Sequence, residues 1–141
     1  MPRLSMKDFY QKEQKNSIER KIIILSYGDT DEHGKKKEIE ERNTLAVSKV
    51  NIDQSEQYSK IQESQGMLAY LTKILCNHVF DPETGESWLN PVDILHESGC
   101  RTVEQFVNDK LPLELVLEIQ TAIEHFSGIT SRQERIEKLK N

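Results

Sequence analysis

Cysteine is nearly absent from this chain: Cys76 and Cys100 are the only two in 141 residues, so it is no disulfide-stapled secreted scaffold. In a reducing compartment both are expected as free thiols. Aromatics are also scarce, at 6%, and apolar residues at 35% barely exceed charged ones at 30%, which points to a modest core. No apolar run approaches the ~20 residues that span a bilayer, and the N-terminus has no signal-peptide core, so the expected setting is cytoplasmic with no membrane contact. The phosphate loop G-x-x-x-x-G-K-[ST], the dinucleotide fingerprint G-x-G-x-x-G and the nucleophile elbow G-x-S-x-G are all missing. Nothing here argues for an enzyme or for a cofactor.

Charge is present but segregated. Residues 1–51 hold 11 Lys+Arg against 9 Asp+Glu, residues 52–130 hold 4 against 13, and residues 131–141 hold 4 against 2. An acidic body repels phosphate backbones, whose binding is driven by basic patches, so nucleic acid is not an expected partner.

The clearest element is Leu111–Gly128, LPLELVLEIQTAIEHFSG. Leu113, Val116, Leu117, Ile119, Ala122, Ile123 and Phe126 recur at helical spacing and define one apolar face, with Glu114, Glu118, Gln120 and Glu124 on the others. Pro112 suits the first turn and Gly128 the end.

The N-terminal third reads differently. Residues 1–17 read as a frayed polar terminus, the alternative being a short amphipathic turn around Lys7–Lys12 in which Met6, Phe9 and Tyr10 share a face that docks on a partner. Arg20–Ser26 contains the most β-prone run, Ile22, Ile23, Ile24 and Leu25. A glycine-bearing turn at 27–36 leads to Leu45, Val47 and Lys49, which alternate as in a half-buried strand, so the two arms form a hairpin. Four consecutive large apolar residues in a strand cannot all face one core, because successive side chains point to opposite faces. Ile22, Ile23, Ile24 and Leu25 are therefore candidate contacts for a partner or a second copy. The acidic turn lacks the ligand spacing of a calcium loop.

Asp53 with Glu56 matches a capping box, opening a helix whose apolar stripe runs from Ile61 to Val79. The segment 81–86 stops it. Trp88 follows among polar residues and is a candidate core lid or interface anchor. Asn90-Pro91 opens a short helix ended by Gly99, and Thr102 with Gln105 caps another that buries Val103, Phe106 and Val107. A charged tail after Gly128 has only Ile136 and Leu139 as apolar anchors.

The expected fold is mainly α, with a helical bundle core at about residues 53–128. Its divisions are 1–51, an arm with a β-hairpin; 52–128, the core; and 129–141, a tail forming a short charged helix. Cys76, His78, His96 and Cys100 have the ligand types of zinc, but a C-x-H pair lies on opposite sides of a helix. They read instead as a buried Cys76, a surface His78 and a helix-end His96, with no metal expected. Cys100 beside His96 or His125 is the only nucleophile and base arrangement, without a sign of activation.

The MKDFYQKE opening, the β-rich RKIIIL segment and the LPLELVLEIQTAIEHFSGI helix together resemble tail assembly chaperones of long-tailed bacteriophages of Gram-positive hosts. The turn at 27–36 and DPETGESW at 81–88 depart from that pattern. The resemblance implies a non-enzymatic, self-associating protein of the host cytoplasm that binds a helical tape-measure protein and recruits tail-tube subunits. It transfers no catalytic residue. The other reading of the residues is a small cytoplasmic protein-binding adaptor or regulator, and after it a zinc-binding module.

Overall fold

A computed structural model describes residues 3, 5–16 and 20–128. In chain order the elements are α1 (Met6–Asn16), β1 (Arg20–Ile24), a 3-10 turn (Ile39–Glu41), β2 (Thr44–Ser48), α2 (Ile52–Gln65), α3 (Met67–His78), β3 (Val79–Phe80), α4 (Pro91–Ser98), α5 (Val103–Lys110) and α6 (Leu113–Phe126). The charged tail at 129–141 lies outside the described residues.

The hairpin forms where the β-branched run predicts it. β1 pairs antiparallel with β2, from Arg20 opposite Ser48 to Ile24 opposite Thr44. The two residues of β3 pair with the other side of β2, setting Ala46 opposite Phe80 and Val47 opposite Val79, so the sheet order is β1-β2-β3. Arg20 reaches across the sheet, its guanidinium 3.6 Å from the Phe80 ring centroid and donating to the Gly85 carbonyl at 2.7 Å.

The hairpin is not a separate arm. Leu25, Leu45 and Val47 belong to the same core as Leu75, Val79, Ile119 and Ile123. The alternation of β2 puts Leu45 and Val47 on one face of the sheet, where they join Leu75 of α3 and Ile119 and Ile123 of α6 in the core. Among the described residues the architecture is therefore a mixed one, six helices with a small three-stranded antiparallel sheet, rather than a bundle with an appendage.

The long helix expected from Asp53 to Val79 is two helices. At Gly66 φ is 99°, a conformation that side chains with a Cβ rarely adopt, and the chain breaks there into α2 and α3. The N-cap also sits two residues earlier than expected. Asn51 Oδ1 accepts from Gln54 N–H at 2.8 Å while Gln54 Oε1 accepts from Asn51 N–H at 3.0 Å. The preceding Val50 N–H is held by Ser127 Oγ at 2.8 Å, so the chain turns at once after β2 and Asn51 is the first residue in place to cap.

Thr102 caps α5 as expected, its Oγ1 accepting from Gln105 N–H at 3.0 Å. On α6 the buried line is Leu115, Val116, Ile119 and Ile123, whereas Leu113 and Leu117 are 66% and 46% exposed. The apolar face is rotated relative to the periodicity because α6 packs on both α3 and β2, and Leu115 faces the sheet side next to Leu25 and Leu45.

Candidate functional site

The five residues singled out by the sequence separate into two groups. Ile22 and Ile24 project from β1 at 61% and 51% exposure, while Ile23 packs against the core and Leu25 lies in it at 5%. Leu25, just past the end of β1, is thus not available to a partner, since it is already covered in the core beside Leu45 of β2 and Leu115 of α6. Trp88 is half-buried against the core and lines a cavity of about 240 Å³ with Leu25, Leu45 and Leu115. Its backbone N–H donates to the Val79 carbonyl at 3.0 Å, which holds the 81–87 loop beside β3.

A second apolar surface was not foreseen. Leu68, Leu71, Val107, Leu111 and Val116 line an open groove of about 410 Å³ between α3, α5 and α6, with Met67 and Leu113 on its rim. Met67 is 56% exposed and Leu113 66%. The stripe that places Leu113 and Val116 on one face was legible; that α5 and α6 part at Leu111 to leave the face open depends on tertiary packing. A third exposed apolar set is on α1, where Met6, Phe9 and Tyr10 are 78%, 44% and 61% exposed.

Polar groups act as fasteners between these surfaces. Glu118, assigned by periodicity to an idle face, accepts from Ser26 N–H and Ser26 Oγ–H through Oε2, both at 2.6 Å, and from Tyr27 N–H through Oε1 at 3.1 Å. Partial burial raises this carboxyl, but the hydrogen bonds from Ser26 and Tyr27 outweigh it and hold the pKa below the ordinary value. One turn beyond the end of β1, Glu118 thus ties the strand to α6. At the far end of the helix Ser127 Oγ donates to the Ile123 carbonyl and accepts from Val50 N–H, tying down the end of β2.

His78 is the sharpest correction to the sequence reading. Expected on the surface, it is 1% exposed, with Nε2 2.7 Å from Tyr58 Oη and Nδ1 3.0 Å from Ser48 Oγ. Asn77 Nδ2 donates to the same Tyr58 oxygen at 3.2 Å. An order that satisfies every group has Tyr58 donating to Nε2 and a neutral ring donating from Nδ1 to Ser48. Burial pushes the His78 pKa down, against a hydrogen bond to Ser48 that raises it. Ser48 and His78 have the atoms of a nucleophile and a base, but so complete a burial of the imidazole leaves no approach for a substrate. The network fastens α2 and α3 to the sheet.

Of the remaining zinc-type residues, Cys76 is half-buried, Cys100 is buried and His96 is exposed. Burial raises the Cys76 thiol, partly offset by Lys73. Among the described residues no three His, Cys, Asp or Glu side chains come together to hold a metal, and no helix is long and apolar enough to cross a membrane. Comparison with family models, curated proteins and solved structures finds no match.

Proposed function

We propose that the protein is a non-enzymatic binding protein that holds the apolar stripe of a helical partner in the groove between α3, α5 and α6. The observation that carries this reading is the groove itself: an apolar floor of Leu68, Leu71, Val107, Leu111 and Val116 with the large side chains of Met67 and Leu113 left open at its rim. Helix-in-groove recognition places side chains at i, i+3, i+4 and i+7 into such a floor. Each anchor of leucine size contributes roughly 1.5–3 kcal/mol on burial. Methionine at the rim adapts to anchors of different shape. The surrounding body carries 4 Lys+Arg against 13 Asp+Glu over residues 52–130, which favours a partner helix whose polar face is basic.

In the particular form given by the sequence resemblance, the partner is a phage tape-measure protein, kept soluble until tail-tube subunits assemble around it. A chaperone of that kind needs exposed apolar surface on an acidic body, and the exposed Met67 and Leu113 with the excess of Asp and Glu over residues 52–130 support that reading. Co-expression with a tape-measure-like amphipathic helix tests the reading. The wild type is expected to hold the helix in the soluble fraction, and Met67→Glu combined with Leu113→Glu to lose it while keeping the wild-type circular dichroism. Equal recovery with both proteins overturns the groove. No recovery with the wild type favours an adaptor with a different partner.

A further inference from the structure

β1 forms one edge of the sheet, and its backbone is oriented in a definite way. Leu25 N–H donates to the Asn43 carbonyl at 2.9 Å, in the same register that sets Ile23 opposite Leu45 and Lys21 opposite Val47. Residues of an antiparallel strand alternate between those whose N–H and C=O face the neighbour and those whose groups face away. Leu25, Ile23 and Lys21 are therefore the residues bonded toward β2. Arg20, Ile22 and Ile24 direct their N–H and C=O to the opposite side, where no described strand pairs with them.

Free edges are normally blunted by proline, a bulge or an outward charge in mid-strand. None of these occurs at Ile22–Ile24, and both outward side chains there are exposed isoleucines. The two cations at the start of the strand are turned elsewhere: Arg20 lies over Phe80, and the Lys21 ammonium is 5.9 Å from the Phe126 ring centroid. Among the described residues nothing thus protects the middle of the edge, either at its hydrogen-bonding groups or at its side chains.

We propose that β1 pairs antiparallel with β1 of a second copy of this chain across a two-fold axis near Ile22, joining two three-stranded sheets into one of six strands. The occupant follows from the strand's own symmetry. Two identical antiparallel edges are self-complementary, so Ile22 exchanges both of its hydrogen bonds with its counterpart and Arg20 falls opposite Ile24. The cationic starts of the two strands then lie at opposite ends of the seam, whereas parallel pairing would place them side by side. Ile22 and Ile24 of both chains become cross-strand neighbours on one face, a favourable pairing of β-branched residues. A five-residue ladder buries far less than the ~1,200 Å² of a stable interface, so the association is weak and concentration-dependent. It uses no residue of the α3/α5/α6 groove and stands or falls separately from it.

Two measurements on the full chain test this pairing. Sedimentation of the wild type from micromolar to millimolar concentration is expected to show a monomer–dimer equilibrium. Amide hydrogen exchange over the same range should show protection at Ile22 and Ile24 that rises with concentration, against Ile23, whose N–H is already held by β2. Ile22→Pro removes an N–H that the β1–β2 ladder does not use, and is expected to weaken dimerisation by about tenfold or more with helical circular dichroism retained. A wild type that stays monomeric throughout overturns the proposal. So does exchange at Ile22 and Ile24 that is independent of concentration, or a folded Ile22→Pro that dimerises like the wild type. If the proline variant does not fold, the exchange measurement on the wild type decides alone.

Discussion

Removing the Glu118 carboxylate is expected to loosen the joint between β1 and α6. Its three hydrogen bonds run to Ser26 and Tyr27, residues 92 and 91 positions away in sequence, two at 2.6 Å and one at 3.1 Å. Hydrogen bonds to a charged group contribute about 1.5–3 kcal/mol each when sheltered, but these donors are near solvent and recover water in a variant. Glu118→Ala should therefore cost about 1.5–3 kcal/mol in all, and lower Tm by roughly 5–10 °C for a chain of this size. Glu118→Gln keeps one acceptor oxygen for Ser26, loses the bond to Tyr27 and the charge, and should fall between. Urea unfolding followed by Trp88 fluorescence is a suitable assay, since Trp88 shares a cavity with Leu25 and Tyr27. The pH dependence separates a charge effect from simple packing. A carboxyl whose folded pKa lies below the unfolded value stabilises fully above the unfolded pKa and loses that stabilisation as pH falls through the folded one. The wild-type advantage over Glu118→Gln should thus be complete at neutral pH and shrink from about pH 4.5 downward. A Glu118→Ala variant within about 0.5 kcal/mol of wild type, or a Gln variant equally costly at pH 7 and below pH 3, refutes the fastener.

Ile119→Ala, at a position with 0% exposure, should cost about 2–5 kcal/mol in the same unfolding assay, while Leu117→Ala, 46% exposed, should stay within about 0.5 kcal/mol. Gly28→Ala should destabilise by roughly 1–3 kcal/mol, because φ is 80° there and the added Cβ meets Asn43 Nδ2 at 2.5 Å. For His78 the folded pKa is lowered, so the neutral ring's stabilisation is complete above about pH 6.5 and is lost as pH falls from there toward the folded value. His78→Gln should flatten the fall in Tm across that window, and an unchanged slope would rule out His78 as its source.

Where one element's chemistry is contained in a few adjacent residues, the sequence was enough. The cap at Thr102 needs only Gln105 three residues on, the Ile22–Leu25 run is β-prone by itself, and α6 carries its own period. Features that depend on a distant partner were not legible. Asp53 and Asn51 both head capping boxes, and the structure uses Asn51, next to a Val50 N–H that is held by Ser127, 77 residues further on. A glycine within a helical period is compatible with a continuous helix, so Gly66 gave no sign of breaking one. Glu118 sits in the polar arc of its helix and becomes a fastener only because β1 ends beside it. Val79 read as the close of a helix, although β2 recruits it with Phe80 as a strand. Of the candidate surfaces, the run Ile22–Leu25 was marked only as a whole, since which alternate side chains stay exposed depends on the face the helices cover, and the groove required knowing where α5 and α6 diverge.

The break at Gly66 gives α2 an unusual degree of independence. That helix packs chiefly on α3, and among its residues only Tyr58 is buried. Its thermodynamic attachment is therefore concentrated at one aromatic ring and the hydroxyl that meets His78. A segment with so few buried groups opens at a free energy well below that of global unfolding. Swinging out about Gly66, α2 would carry Tyr58 away from the imidazole and let water reach a histidine that is otherwise dry. Protonation of that ring would then hold the helix open. Opening of α2 and protonation of His78 would then be two sides of one local equilibrium, expected to shift in acid before the rest of the protein unfolds.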